Sequence, residues 1–111
     1  MSIRSTAVLA GALVITLGFA ARAEDQAVTL TIKNHRFDPA VIEVPAGQKV
    51  KLLVRNQDPT PEEFDSYALN REKVIPGGSE GIVFIGPLDP GTYEFMGEFN
   101  AETAQGKVVA K

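Results

Sequence analysis

The sequence predicts an all-β domain, a Greek-key β-sandwich of about seven strands. Short runs of β-branched and aromatic residues alternate with turns rich in Pro and Gly, and no long segment has the helical period. Leu30 and Ile32 alternate with Thr31 and Lys33, which gives the first strand one apolar and one polar face. Apolar faces of this kind are buried when two sheets pack against each other.

The remaining strands are predicted from the same alternation and from the turns between them. They are expected at residues 41–44, 50–55, 82–85, 92–99 and 107–110. The turns between them are Pro45-Ala46-Gly47, Pro76-Gly77-Gly78 and Pro90-Gly91. Residues 56–70 depart from the pattern, and they are expected to form either a long loop or an irregular strand with a short helical turn.

A tyrosine corner is predicted near the C-terminal end of the domain. The spacing of Leu88, Pro90-Gly91 and Tyr93 is typical of this feature, in which a tyrosine hydroxyl bonds to an upstream backbone group. It is typical of Greek-key sandwiches and therefore supports that topology.

Residues 1–23 are predicted to be an export signal. Arg4 precedes an apolar run that ends in the small-residue cleavage pattern Ala21-Arg22-Ala23. Cleavage is expected before Glu24, which leaves one domain at residues 24–111 in the periplasm. The run is too short for a permanent membrane span and is quickly followed by polar sequence, although an uncleaved anchor is the alternative interpretation.

Composition narrows the class of partner. The exported chain would keep all 14 Asp and Glu residues but lose two of the 11 Lys and Arg residues with the signal, so it is acidic. Phosphate binding depends on clustered Lys and Arg, and the sequence has no such cluster, so a nucleic-acid partner is not expected. The sequence has no Cys, so stability must come from the core and the turns rather than from disulfides.

The residue patterns of common enzymes are absent from the sequence. A single His is present, and no Ser stands in the strand-turn-helix elbow of a Ser-His-Asp hydrolase. No Gly-rich loop opens a helix as a phosphate-binding loop does. We therefore expect a binding protein rather than a conventional enzyme.

Three groups of residues together resemble the cupredoxin superfamily. They are Phe37-Asp38-Pro39 with Pro45-Ala46-Gly47 and Asn56, then Pro76-Gly77, then Pro90-Gly91-Thr92-Tyr93-Glu94-Phe95 with Gly106 and Val108. Other segments are most similar to the cupredoxin-like periplasmic component of bacterial ferrous-iron uptake systems, the EfeO/FtrB type. Those segments are Thr60-Pro61-Glu62-Glu63-Phe64, Gly97-Glu98-Phe99-Asn100 and Thr103-Ala104-Gln105-Gly106.

The same resemblance shows how the chain departs from blue copper proteins. Those proteins hold copper with a Cys, two His and usually a Met, because sulfur and imidazole ligands suit an ion that changes oxidation state. By the resemblance, the Cys position falls at Gly97, the second His at Glu102 and the Met at about Gln105. The absence of Cys independently excludes a copper-thiolate bond, and with it a blue type 1 copper centre.

The resemblance implies a shallow site for an iron or copper ion at one end of the sandwich, where the iron-uptake relatives carry acidic residues and a His. Carried over residue by residue, it points to Glu63, Glu98 and Asn100 as metal ligands. Relatives often have His at the position of Asn100. Since Asn is a poorer ligand for transition metals than His, this difference weakens the metal binding that the resemblance implies.

Three further side chains are candidate metal ligands on their chemistry. Glu102 stands where a copper-site His would stand, the Met96 thioether suits reduced copper, and the His35 imidazole is the best transition-metal donor in the chain. Each candidate also has a structural interpretation. A carboxylate is commonly solvated, a Met commonly fills a gap in packing, and a single His commonly lies at the surface or caps a turn.

Three functions are consistent with these observations. The preferred one is a periplasmic metal-binding accessory protein that passes an iron or copper ion to a membrane iron permease and works with a copper-binding periplasmic partner. The second is assistance in the oxidation of ferrous iron coupled to its uptake. The third is a metal-free interaction module that contacts its partner through residues 58–69.

Overall fold

The computed structural model describes residues 26–111. The predicted export signal and its cleavage site lie outside the described residues. Nine strands and one short 3-10 turn at Glu98–Asn100 follow one another in this part of the chain. The strands are β1 (Gln26–Lys33), β2 (Arg36–Asp38), β3 (Val41–Val44), β4 (Val50–Asn56), β5 (Glu62–Ser66), β6 (Arg71–Ile75), β7 (Glu80–Ile85), β8 (Gly91–Gly97) and β9 (Gln105–Ala110).

The strands form two mixed sheets that pack as a sandwich. One sheet has the order β2-β1-β4-β7, and the other has the order β3-β9-β8-β5-β6. β1 and β4 are parallel, as are β3 and β9, whereas the remaining pairs are antiparallel. No helix of residues 26–111 is long and apolar enough to cross a membrane.

The core lies between the sheets and is built from the alternating apolar positions of the strands. Leu30 and Ile32 from β1 and Val50, Leu52 and Val54 from β4 are fully buried. They share one core with a cluster of three aromatic rings, Phe37, Phe64 and Phe95. The Phe95 ring lies 5.0 Å, centroid to centroid, from each of the other two. This packing confirms the predicted all-β Greek-key sandwich, with two more strands than the sequence predicted.

The additional strands come from segments that the sequence did not resolve. Residues 56–70 were expected to be a loop or an irregular strand, but they contain the regular strand β5, which pairs with β6 and β8. The predicted strand 92–99 is too long, because β8 ends at Gly97 and a 3-10 turn follows. Phe99 therefore lies in the turn and does not continue the buried side of β8, and its side chain is half exposed.

The tyrosine corner is present. The Tyr93 hydroxyl donates a hydrogen bond of 2.8 Å to the carbonyl of Asp89, four residues upstream. The bond fixes the entry of the chain into β8 and holds the start of that strand against the preceding turn. The predicted spacing therefore corresponds to a real contact.

Candidate functional site

One end of the sandwich gathers three segments, which we call the loop pole: residues 34–35, 57–61 and 99–104. The segments are joined by hydrogen bonds. The Thr103 hydroxyl donates to the carbonyl of His35 at 2.5 Å, and the backbone amide of Asn34 donates to the Asp58 carboxylate at 2.7 Å. The loop pole therefore brings His35, Asn100 and Glu102 to the same end of the domain.

Asp58 organises the turn between β1 and β2. Asn34 and His35 both have positive φ, 52° and 56°, which is an unfavourable conformation for residues other than Gly. The Asp58 carboxylate accepts hydrogen bonds from both of their backbone amides, at 2.7 Å and 2.9 Å. The bond from the His35 amide is the main reason that the pKa of Asp58 is lowered, and the Asn34 amide adds to it, while burial opposes the change.

His35 has a structural position in this turn. Its side chain is half exposed, and its Nδ1 atom lies 3.7 Å from the nearer Asp58 carboxylate oxygen. Its backbone amide and carbonyl are both engaged, with Asp58 and Thr103 respectively. His35 therefore lies at the predicted end of the sandwich and is tied to Asp58.

Glu62 is the carboxylate at the centre of the loop pole. It is 1% exposed and extends inward from β5. Its Oε1 atom accepts hydrogen bonds from the backbone amides of Phe99, at 2.9 Å, and Glu63, at 3.1 Å. Its Oε2 atom accepts one from the Asn100 side-chain amide at 2.7 Å. A buried carboxylate is tolerated when donors surround it in this way.

Gly97 leaves the space that the Glu62 carboxylate fills. A Cβ atom added at Gly97 would lie 2.6 Å from the carboxyl carbon of Glu62 and 2.7 Å from the Cβ of Ala104. No real side chain makes such contacts without a rearrangement. The resemblance assigned a copper-binding Cys to the position of Gly97. The space that a Cys side chain would need there is filled by the Glu62 carboxylate from the neighbouring strand.

The six predicted metal ligands are divided between two places. Asn100, Glu102 and His35 lie at the loop pole. Glu63, Glu98 and Met96 lie on the outer face of the five-stranded sheet, which points away from the core. The sequence favoured Glu63 over its neighbour, yet Glu63 is the outward residue and Glu62 is the one that contacts Asn100.

Five carboxylates on or directly after β5, β6 and β8 lie on the outer side of this sheet, and we call them the acidic face: Glu63, Asp65, Glu72, Glu94 and Glu98. Glu43 on the edge strand β3 lies on the same side of the sheet and forms a salt bridge with Lys111. The strand register places Asp65 beside both Glu72 and Met96. A hydrogen bond and charge repulsion from Asp65 raise the pKa of Glu98, and repulsion from Glu63 and Glu72 adds to the effect. Glu98 and Glu63, which were predicted as ligands, are thus brought together on this face.

A groove of about 430 Å³ runs beside the acidic face. It exists because β5 and β8 pair at only two positions before they separate. Beyond that point the Ser66 hydroxyl replaces the backbone pairing between the two strands. It donates a hydrogen bond to the Glu94 carbonyl at 2.6 Å and accepts one from the Leu69 amide at 3.0 Å. Met96 and the fully exposed Tyr67 line the groove together with Asp65 and Glu94.

The donors at the loop pole do not fit a blue copper centre. Such a centre requires a thiolate and two imidazoles, and the chain has no Cys and one His. The Met96 thioether lies on the outer sheet face rather than beside Glu62 and Asn100. In residues 26–111, no group of three or more His, Asp or Glu side chains is arranged to hold a metal ion.

Comparison with known proteins gives one family and many similar folds. The model of the cupredoxin-like domain matches residues 6–110. An uncharacterized protein of Rickettsia prowazekii is 43% identical over 82 residues, which cover 74% of this chain and 66% of that protein. The chain thus spans slightly less than two thirds of the length of that relative.

The similar solved structures share the fold at low sequence identity. The metal-binding domain of the Streptococcus pneumoniae Cu(I)-exporting P-type ATPase has a TM-score of 0.68 at 15% identity, over 77% of this chain and 84% of that one. Auracyanin A, a blue copper protein of Chloroflexus aurantiacus, has a TM-score of 0.67 at 17% identity, over 77% and 98%. A purple cupredoxin of Nitrosopumilus maritimus has 0.59 at 18%, over 76% and 99%. With the family match over most of its length, the chain belongs to the cupredoxin-like domain family.

Proposed function

We propose that this chain is an exported accessory protein of a metal-uptake system, and that it works by docking to a partner without a copper ion of its own. The contact between Glu62 and Asn100 carries this proposal. The Glu62 carboxylate and the Asn100 side-chain amide satisfy each other by a hydrogen bond at the loop pole. The cupredoxin scaffold is kept, but neither group is one of the soft ligands that copper requires.

Two lines of support connect the chain with metal uptake. Its loops resemble those of the cupredoxin-like periplasmic component of ferrous-iron uptake systems. The same fold also serves as the metal-binding domain of a copper-exporting ATPase. The partners proposed on this basis are a membrane iron permease and a copper-binding periplasmic protein, and the proposed compartment is the periplasm.

Uptake of ferrous iron by whole cells tests this function. We expect a strain without the gene to take up less ferrous iron at limiting concentration, and the wild-type gene to restore uptake. A strain that lacks a ferric-iron transporter provides the control for general membrane defects. Unchanged uptake in the deletion strain would contradict the proposed role.

A second candidate function is direct capture of ferrous iron on the acidic face. The observation in its favour is that the Glu98 and Asp65 carboxyl groups lie close together, since a hydrogen bond and repulsion from Asp65 raise the pKa of Glu98, and Glu63 lies beside them. Ferrous iron accepts carboxylate oxygens, and two carboxylates with water in the other positions would hold it weakly and exchangeably. Calorimetric titration with ferrous iron tests this idea, with Glu98→Gln/Asp65→Asn as the variant. Equal heats for variant and wild type would rule it out.

A further inference from the structure

We propose that the acidic face and the groove beside it form the docking surface for an extended segment of a partner protein that carries Lys and Arg side chains. The inference rests on the proposed function in one respect, namely that the chain acts through a partner. It goes further by naming the surface and the chemistry of what binds there.

The charges of the acidic face are concentrated on three adjacent strands and on Glu98, which directly follows β8. Glu72 on β6 pairs in register with Asp65 on β5, and Asp65 pairs in turn with Met96 on β8. Glu94 lies two residues from Met96 on the same side of β8, because side chains alternate between the faces of a strand. Carboxylates therefore lie close to the exposed Met96 thioether, and together they favour a cationic ligand.

Basic residues of the chain do little to neutralise this surface. Arg71, which precedes Glu72, donates instead to the carbonyls of Phe84, at 2.7 Å, and Asn70, at 2.8 Å. Lys73 extends toward Gly81 of the other sheet. Lys107 is the exception, because it pairs in register with Glu94 and its side chain lies on the same side of the sheet. In residues 26–111, none of the five carboxylates of the acidic face forms a salt bridge.

A hydrogen bond and then charge repulsion from Asp65 raise the pKa of Glu98, and repulsion from Glu63 and Glu72 adds to the increase. These carboxylates therefore repel one another in the free chain. A cationic side chain placed among them would reduce this repulsion. Complementary charge of this kind accelerates association and selects the partner, and its effect falls as salt concentration rises.

The groove adds an apolar component that suits a Lys or Arg side chain. Met96 is 42% exposed and Tyr67 is fully exposed, and both line the groove between the Asp65 and Glu94 carboxylates. Lys and Arg carry long aliphatic stems that pack on apolar surface while their charged ends reach carboxylates. A basic segment in extended conformation would therefore bury Met96 and pair with the carboxylates on either side.

A second copy of this chain is a poorer occupant than a separate partner. Most of the basic residues of this chain lie on or beside the outer side of the four-stranded sheet. Two of them already contact other side chains of the same chain. Arg55 forms a salt bridge of 2.9 Å with Glu80, and the Lys49 ammonium lies 4.6 Å from the centre of the Phe84 ring. Docking of one copy on another would require these contacts to be exchanged.

Binding of a fluorescent oligolysine peptide to the mature protein tests the inference, with an oligoglutamate peptide as the control ligand. The test variant is Glu63→Gln/Asp65→Asn/Glu98→Gln. The matched control variant, Asp38→Asn/Glu80→Gln/Asp89→Asn, removes the same charge from positions outside the five-stranded sheet. We expect oligolysine affinity to fall about tenfold in the test variant, to stay near wild type in the control variant, and to weaken with salt.

Three outcomes would overturn the docking surface. The first is an equal loss of affinity in both triple variants, which would show that net charge rather than this face binds the peptide. The second is no binding of oligolysine to the wild type at low salt. The third is sedimentation of the wild type as a dimer that dissociates in the test variant, which would assign the face to a second copy.

Iron uptake separates a failure of this inference from a failure of the proposed function. If the deletion strain takes up less ferrous iron and the test variant restores uptake completely, the docking surface is wrong and the uptake role stands. If deletion leaves uptake unchanged while oligolysine still selects the acidic face, the uptake role is wrong and the docking surface stands.

Discussion

Glu62 joins two segments of the chain that are distant in sequence. Its carboxylate connects β5 with the segment that follows β8, through the Phe99 amide and the Asn100 side chain. Because the carboxylate is buried, these hydrogen bonds also satisfy a charged group that would otherwise destabilise the fold.

We expect Glu62→Ala to lower the free energy of unfolding by about 1–3 kcal/mol, because two backbone amides and the Asn100 amide lose their acceptor inside the protein. Urea unfolding followed by circular dichroism measures the change. The neighbouring variant Glu63→Ala provides the control. Its side chain lies on the acidic face, so the expected change is within about 0.5 kcal/mol. Equal effects of the two substitutions would show that Glu62 is not a structural link.

Asn100→His is expected to create a metal site that the wild type lacks. The Asn100 side-chain nitrogen lies 2.7 Å from a Glu62 oxygen, so an imidazole at this position would stand beside a carboxylate. Imidazole and carboxylate together are suitable ligands for Cu(II). Calorimetric titration with Cu(II) should give saturable binding for Asn100→His and none for Asn100→Gln. Tight binding by the wild type would contradict this account of the loop pole.

At the scale of single elements, β5 explains why residues 56–70 were difficult to interpret. Its inner face is formed by Glu62, Phe64 and Ser66, two of which are polar. An alternation of apolar and polar residues is the main sequence signal for a strand, and here it is hidden. The hydrogen-bond partners of Glu62 and Ser66 come from β8 and the turn after it, which are distant in sequence. Only the folded structure reveals that these polar groups are satisfied.

The β1–β2 turn should give stability a defined pH dependence through Asp58. The folded-state pKa of Asp58 lies below its usual value of 3.8, chiefly because of the hydrogen bond from the His35 amide. The associated stability is therefore fully present above about pH 3.8 and is lost as the pH falls through the lower folded-state value. We expect Asp58→Asn to be less stable than wild type at neutral pH, by about 1 kcal/mol.

That difference should shrink as the pH falls below the usual carboxyl range, because wild-type Asp58 then becomes protonated. Urea unfolding of both proteins at a series of pH values measures it. Asp89→Asn is a matched control, since within residues 26–111 the Asp89 carboxylate makes no hydrogen bond or salt bridge and only its backbone carbonyl is engaged. A constant difference between Asp58→Asn and wild type at every pH would mean that the carboxylate charge is not responsible.

For the whole molecule, the fold was predictable because it depends on many weak and repeated signals. The alternation in β1 and β4, the turns between strands and the spacing around Tyr93 all agree on a sandwich. The candidate site depends on single residues, and the pairing register of the strands decides whether the side chain of each residue points into the core or outward. Glu62 and Glu63 are adjacent in sequence, and nothing in the pair itself reveals that Glu62 faces the core and Glu63 faces outward.

The distribution of charge over the surface of the molecule also could not be predicted from the sequence. The acidic composition was evident from the sequence, but the five carboxylates of the acidic face come from three strands and from the turn after β8, which are separated along the chain. Only the strand order β8-β5-β6 places them on one surface. The acidic face is therefore formed by the strand order of the sheet, and the docking surface that we propose exists only in the folded protein.

Hydrogen exchange at the Phe99 amide tests the central claim most directly, namely that Glu62 holds the loop pole together without a metal ion. The measurement compares protein treated with a chelator against the same protein after addition of copper or ferrous iron. We predict that the Phe99 amide, which donates to Glu62 at 2.9 Å, is protected from exchange in the chelated protein and is not changed by either metal. Rapid exchange in the chelated protein, with protection that appears only when metal is added, would contradict the account.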